Sequence, residues 1–185
     1  MKYNEAKAAQ MAAYFLHRRG GRMSYLKLMK LLYLADRLSI QEIGLPISGD
    51  HAVSMEHGPV LSTTLNHLIG SIDTSPGGWN AWVGEPEGYE VPLRREVATE
   101  DLSDLSEAEL DMLSRTWERF GHLGRFQIRD YTHYELPEWE DPSGSSWPIS
   151  YKNILLATGW SEEAAKEMVQ EMAAEEELDK VLEAL

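Results

Sequence analysis

The chain has 185 residues, no cysteine and a formal net charge of −14 at pH 7. This length suffices for one domain with a buried core, and the lack of cysteine excludes disulfides, thiolate zinc sites and cysteine nucleophiles. No apolar run approaches the roughly 18 residues of a membrane span, and the N-terminus lacks the pattern of a signal peptide. We therefore expect a cytoplasmic protein without a membrane segment.

The charge is distributed unevenly along the chain. Residues 1–40 carry eight Lys or Arg and two Asp or Glu, so this part has a net charge of +6 and the remainder −20. An acidic surface favours basic partners through electrostatic steering and repels phosphate backbones. Solubility alone is an equally good explanation of the acidity. The N-terminal basic side chains are spread around two predicted helices, so nucleic-acid binding is not expected.

Two amphipathic helices are predicted in the N-terminal part. Asn4 is a capping residue for the first, and the glycines at 20–21 end it. Ser24 is predicted to cap the second, in which apolar residues recur at helical spacing over 28–38. So broad an apolar stripe indicates packing against more than one neighbour.

The middle of the chain predicts short elements. Residues 45–57 form a connection with short extended pieces, and Gly58-Pro59 is predicted to open a third helix with proline at its first position. Residues 73–86 are rich in glycine and proline and predict a surface loop. The alternation over 89–93 is typical of a short strand, which Pro92 confines to a sheet edge.

The C-terminal half predicts more helices. Ser106 and Glu109 form a capping box for a fourth helix that ends at Gly121. The irregular stretch 137–148 holds two tryptophans. Further helices are predicted over 125–133, over 150–156 and, with Ser161 as its cap, over the acidic C-terminal segment.

These elements predict a mainly α fold, a compact helical domain with a small β-hairpin or short edge strands. No internal repeat is present, so one domain over residues 1–160 with an acidic C-terminal helix over 161–185 is the economical interpretation. That helix has a weak apolar stripe. It is predicted to pack on the same domain, and the alternative is that it docks a partner as an amphipathic helix.

Motifs for catalysis are absent from the sequence. It contains no P-loop, G-x-S-x-G, H-E-x-x-H or G-x-G-x-x-G pattern. His51 and His57 lie in a predicted loop, and His133 lies near several glutamates. One interpretation is that these side chains are ligands of a divalent metal ion. Hydrogen-bonded or surface histidines are the favoured interpretation, and we expect no enzyme activity and no cofactor.

Two further sets of side chains need partners. Asp36 near the end of the second helix opposes the helix dipole, so we expect a salt bridge to Arg37, His51 or Arg129.

Most tryptophans fall in predicted loops or at element ends. There they either plug the edge of a core or serve as interface hot spots, and the sequence does not separate these alternatives.

An ordered set of short motifs resembles the Panacea domain, which is found in antitoxins of bacterial toxin–antitoxin systems. Residues 27–35 read K-L-M-K-L-L-Y-L-A, and residues 58–60 read G-P-V. The resemblance covers about residues 5–160, and it departs from the family at Ser54 and Met55, where an aromatic residue often precedes G-P-V. The motif residues, taken as mainly structural, are Lys27, Leu28, Lys30, Leu31, Leu32, Tyr33, Ala35, Gly58, Pro59, Val60, His133, Pro137 and Trp139.

The resemblance implies a non-enzymatic antitoxin that neutralises a cognate protein toxin by direct binding. A basic toxin would suit the acidic surface, and a homodimer or a toxin–antitoxin hetero-oligomer would suit the family. One alternative is a protease adaptor or scaffold that uses the Glu-rich tail and residues 183–185 as a handle. The other is a metal-assisted hydrolase. Exposure and chemistry select these partner-binding candidates: Met55, Glu56, His57, Trp79, Trp82, Trp139 and Trp147.

Overall fold

A computed structural model describes residues 2–183, apart from the side chains of residues 99, 179 and 183. It is mainly helical with two small antiparallel sheets, which confirms the predicted fold class. Within this part of the chain no helix is long and apolar enough to cross a membrane. The elements are α1 (Glu5–Arg19), β1 (Arg22–Ser24), α2 (Tyr25–Ile43), β2 (Ala52–Met55), β3 (Gly58–Leu61), α3 (Ser62–Leu68), α4 (Trp79–Trp82), β4 (Glu90–Pro92), α5 (Glu107–Phe120), α6 (Arg125–Tyr134), β5 (Trp147–Pro148), α7 (Tyr151–Ala157) and α8 (Glu162–Glu183), with a 3₁₀ turn at Thr99–Asp101.

Helix α2 lies at the centre of the domain. Leu28, Leu31 and Leu32 are completely buried, and the helix packs against α1, α5, α6, α7 and β3. The prediction that its broad apolar stripe contacts several neighbours is confirmed. Ser24, however, makes no side-chain hydrogen bond to the first turn. It ends β1 instead, so the predicted Ser24 cap is wrong.

The predicted caps of the other long helices are present. The Asn4 side chain accepts a hydrogen bond from the Lys7 amide at 3.0 Å, and α1 ends at Gly20 with φ of 95°. Helix α5 begins with a complete capping box, in which the Ser106 amide donates to the Glu109 carboxylate at 2.8 Å. Local sequence chemistry therefore sets these boundaries.

The two sheets are short. β1 pairs with β4 with Met23 opposite Val91, which confirms the predicted edge strand over 89–93. The second sheet has the order β3-β2-β5, and Trp147 of β5 lies opposite Ser54 of β2. This sheet presents the β2–β3 turn at the surface of the domain.

The prediction that Gly58-Pro59 opens the third helix is wrong. Both residues lie in β3, and α3 begins at Ser62. The start of α3 is set by Asp50, a buried residue outside the helix, whose carboxylate accepts from the amide of Thr63 at 3.0 Å and that of Thr64 at 2.7 Å. A remote carboxylate thus satisfies the free N–H groups of the first turn.

The predicted surface loop over 73–86 is wrong at Trp79–Trp82, which form a short helix with both tryptophans buried. Trp79 and Trp82 lie in α4 and are only 1 % and 5 % exposed. The carboxylate of Glu5, in the first turn of α1, accepts from the amide of Trp79 at 2.8 Å and so fixes α4 against α1. These two indoles belong to the core.

The C-terminal helices begin at predicted serines. The Ser161 hydroxyl accepts from the amide of Ala164 at 3.1 Å at the start of α8. The first half of α8 packs against α7 and the body, with Ala165 completely buried. Its far end is exposed, since Leu178 keeps 58 % of its surface. Residues 184–185, part of the predicted protease handle, lie outside the described residues.

Candidate protein-interaction surface

A stripe of polar side chains runs along one side of α2 and holds other segments in place. Its first member is Lys27, whose ammonium donates to the carbonyls of Gly121 at 2.6 Å and Leu123 at 2.7 Å. These carbonyls follow the last turn of α5, where the helix leaves acceptors without internal partners. Burial lowers the pKa of Lys27, and the charge of nearby Arg19 adds to this effect.

Lys30, one turn further along, holds the β2–β3 hairpin. Its side chain is completely buried, and its ammonium donates to the carbonyl of Pro59 at 2.7 Å. Burial lowers the pKa of Lys30 to about 7. A β-carbon at Gly58 would lie 3.1 Å from the Lys30 nitrogen and 2.9 Å from the Thr132 hydroxyl, so a larger residue there would have to displace these side chains.

Tyr33 and Arg37 hold the segment that follows α6. The Tyr33 hydroxyl donates to the Glu138 carboxylate at 2.7 Å, and the Arg37 guanidinium donates to the same carboxylate at 2.5 Å. The Glu138 side chain is fully buried. Burial, with the adjacent Glu138 charge, raises the pKa of Tyr33 well above its usual value. A buried carboxylate is thus paired with a cation and a hydroxyl, as such a group requires.

The stripe brings the hairpin turn and the segment after α6 together at the surface. The Trp139 indole donates to the carbonyl of Met55 at 3.0 Å. The ring of His133 lies 3.8 Å from that of Trp139, and Trp147 joins from β5 beside Ser54. We call the result the hairpin surface, which consists of Met55, Glu56, His57, His133, Tyr134, Trp139 and Trp147.

The hairpin surface exposes aromatic side chains within an acidic border. Tyr134 is 75 % exposed and Trp147 is 54 % exposed. Exposed carboxylates border it at Glu135, Glu140 and Asp141. Large exposed aromatics are typical of the anchors of protein–protein interfaces, and the carboxylates favour a basic partner.

Five of the seven predicted partner-binding residues lie on one surface of the structure. Met55, Glu56, His57, Trp139 and Trp147 all lie in the hairpin surface. The other two, Trp79 and Trp82, are buried in the core, so we remove these two tryptophans from the candidate interface. Tyr134 was missed, because nothing in the helical pattern over 125–133 distinguishes an exposed tyrosine at its end.

The predicted salt bridge of Asp36 is wrong. This side chain is buried and accepts hydrogen bonds from the Ser48 amide at 3.0 Å and from the Ser48 hydroxyl. Burial raises its pKa to about 7, against the opposing effect of the Ser48 hydrogen bonds. Arg37, one of its predicted partners, pairs with Glu138 instead.

The histidines considered as metal ligands have other neighbours. His133 packs on Trp139, and the His51 ring lies 6.0 Å from that of Tyr151. Among residues 2–183, no group of three or more His, Asp or Glu side chains is placed to hold a metal ion.

Fold and surface together define a mainly helical domain built around one central helix, which positions a small sheet and the aromatic side chains beside it. The chain belongs to the family described as antitoxin SocA-like, Panacea domain, which matches residues 28–140. This match confirms the resemblance inferred from the ordered motifs and includes every motif residue except Lys27. It runs from α2 to Glu140, and so contains most of the hairpin surface. Searches of curated proteins and of solved structures found no significant match.

Proposed function

We propose that this protein is an antitoxin that neutralises a cognate protein toxin by binding it directly through the hairpin surface. The observation that supports this most strongly is the concentration of exposed aromatic side chains over a buried, hydrogen-bonded support. Such a support keeps the surface in one conformation, which reduces the entropy lost on binding. Membership of an antitoxin family supports the proposal independently.

The mechanism is masking and requires neither catalysis nor a cofactor. The carboxylates of Glu135, Glu140 and Asp141 would steer a basic toxin towards the hairpin surface. Trp147 and Tyr134 would then be buried against it and would set the rate of dissociation. A toxin whose basic groove receives a polyanion would lose access to its target.

The test is rescue of growth in cells. The neighbouring open reading frame is induced alone and then together with this protein, and the complex is recovered by affinity purification. The proposal predicts growth arrest, relief of the arrest and a stable complex. Arrest without relief or complex contradicts it, and relief with loss of the toxin polypeptide would indicate the protease-adaptor alternative.

Two variants test whether the rescue of growth depends on the hairpin surface. Trp147→Ala removes an exposed indole of the hairpin surface and is expected to weaken rescue. Ile69→Ala is the matched control, because this side chain is 61 % exposed at the end of α3, outside that surface. Equal rescue by both variants would place the interface elsewhere.

A further inference from the structure

A second surface, opposite in charge to the hairpin surface, lies between the start of α2 and α6. It surrounds a cavity of about 340 Å³. We call it the arginine groove, and its principal side chains are Tyr25, Tyr89, Arg125, Phe126 and Arg129. It adjoins the hairpin surface at His57, which lines both. Tyr89 is 67 % exposed and Phe126 is 52 % exposed, so the groove combines aromatic rings with guanidinium groups.

Arg125 is the central cation of this groove. Its guanidinium lies 5.4 Å from the ring centre of Tyr89 and 4.7 Å from that of Phe126. In the described part of the chain no carboxylate pairs with Arg125, whereas Arg129 pairs with Asp130 at 2.5 Å. A neighbouring cleft adds Arg19 on the other flank of Arg125. Its Arg22 is paired with Glu87 at 2.5 Å, and Glu90 also lines it. The groove is therefore suited to an acidic occupant with apolar side chains.

The exposed end of α8 has the complementary chemistry. Leu178, Val181 and Leu182 are each 58–59 % exposed and recur at i, i+3 and i+4, so they form one apolar stripe. Glu175 and Glu177 are exposed beside it, and Glu177 pairs with Lys180 at 3.0 Å. An amphipathic helix binds in a groove through such an apolar stripe, and the acidic side chains of this one suit a basic groove.

The two complementary surfaces do not meet within one copy, because both are exposed. The first half of α8 is anchored to the body, where the side chain of Met168 packs against Gly44. We infer that two copies of the chain associate reciprocally, with the acidic end of α8 of each copy bound in the arginine groove of the other. Two equal contacts related by a two-fold axis together bury twice the area of one contact. This inference goes beyond the proposed function and needs no toxin.

The experiment is sedimentation velocity of the full chain across a range of concentrations and salt. We expect a monomer–dimer equilibrium that shifts to monomer as salt rises, because the Debye length falls from about 10 Å at 0.1 M to about 3 Å at 1 M. Arg125→Glu, and separately Leu178→Ser with Leu182→Ser, should abolish the dimer. Arg94→Glu is the matched control, since it makes the same charge change at an exposed residue outside the groove.

A charge exchange distinguishes this contact from any other dimer. Arg125→Glu replaces the central cation of the groove by a carboxylate, and Glu175→Lys with Glu177→Lys makes the tail basic. Each variant alone should be monomeric, whereas a mixture of the two should form heterodimers, because both reciprocal contacts then join opposite charges. All variants change exposed or half-exposed side chains, and circular dichroism checks their folding. A wild-type chain that stays monomeric up to about 1 mM, or a dimer that persists in Arg125→Glu, would overturn the inference.

Discussion

The ammonium nitrogen of Lys30 lies 2.7 Å from the carbonyl oxygen of Pro59, and no part of the Lys30 side chain reaches solvent. A buried cation thus stands directly behind the β2–β3 hairpin. Because the pKa of Lys30 is lowered to about 7, proton binding at this site is linked to the stability of the fold.

Lys30→Met should alter how stability depends on pH. The pKa of Lys30 is about 7 in the folded chain and 10.5 as its ordinary value. Between these values the unfolded chain binds more protons, so the free energy of unfolding should rise with pH from about 7 to about 10. The contribution of Lys30 to this rise is on the order of a few kcal/mol and should be lost in Lys30→Met, which leaves the smaller contribution of Lys27.

Chemical denaturation at several pH values between 7 and 10 measures this difference. Lys166→Met is the control, because Lys166 is exposed on α8. An equal pH dependence in wild type and Lys30→Met would show that the buried lysine is not the titrating group.

The contribution of Asp36 to the free energy of unfolding should change with pH in the opposite direction, and at lower pH. It should be lost in Asp36→Asn. The pKa of Asp36 is raised from 3.8 to about 7, so the folded chain binds more protons than the unfolded chain between these values. Its contribution to the free energy of unfolding therefore falls as pH rises from about 4 to about 7. Subtracting the Asp36→Asn curve from the wild-type curve isolates this fall, and a difference that rises or stays flat would contradict the account.

Arg37→Met should be strongly destabilising. It would leave the carboxylate of Glu138, which is fully buried, without its cation. Removing one partner of a buried ion pair costs about 3–5 kcal/mol. Adding Glu138→Gln should recover part of the loss, because the neutral amide still accepts from Tyr33. Urea denaturation of the two single variants and the double variant measures the coupling, and strict additivity would argue against a buried pair.

Gly58→Ala should destabilise the fold more than alanine at an unhindered glycine. At Gly58 φ is 91°, and the added β-carbon would lie 2.9 Å from the Thr132 hydroxyl. Gly77 has φ of 78° with nothing within 4 Å, so Gly77→Ala introduces the backbone strain without the clash. We expect Gly58→Ala to lose at least about 1 kcal/mol more in thermal or chemical unfolding. Equal losses would show that Lys30 and Thr132 move aside freely.

Local patterns predicted the helices well, because their causes lie within a few residues. The repeat of apolar side chains over 28–38 is sufficient to define α2, and Asn4 and Ser106 cap their own helices through bonds to residues three positions later. These interactions depend on spacing alone, which the sequence displays directly.

Elements fixed by distant partners were predicted poorly. Gly58-Pro59 suits either a helix start or a strand, and the choice depends on Lys30 and on Asp50, neither of which adjoins them in the sequence. The burial of Trp79 likewise depends on Glu5, which lies 74 positions away. The candidate site followed the same rule. Trp139 and Trp147 were identified by residue type, but type alone also selected the buried Trp79 and Trp82. The position of the segment that carries Trp139 depends on the ion pair of Arg37 with Glu138, for which the sequence carries no local signal.

The most direct test of the central claim is the affinity of this protein for the purified product of the neighbouring open reading frame. Isothermal titration calorimetry would compare the wild type with Trp147→Ala, with Glu140→Lys and with the control Ile69→Ala. We predict that the dissociation constant rises at least about tenfold for Trp147→Ala and for Glu140→Lys and stays unchanged for the control. An unchanged dissociation constant in both hairpin-surface variants would contradict the account.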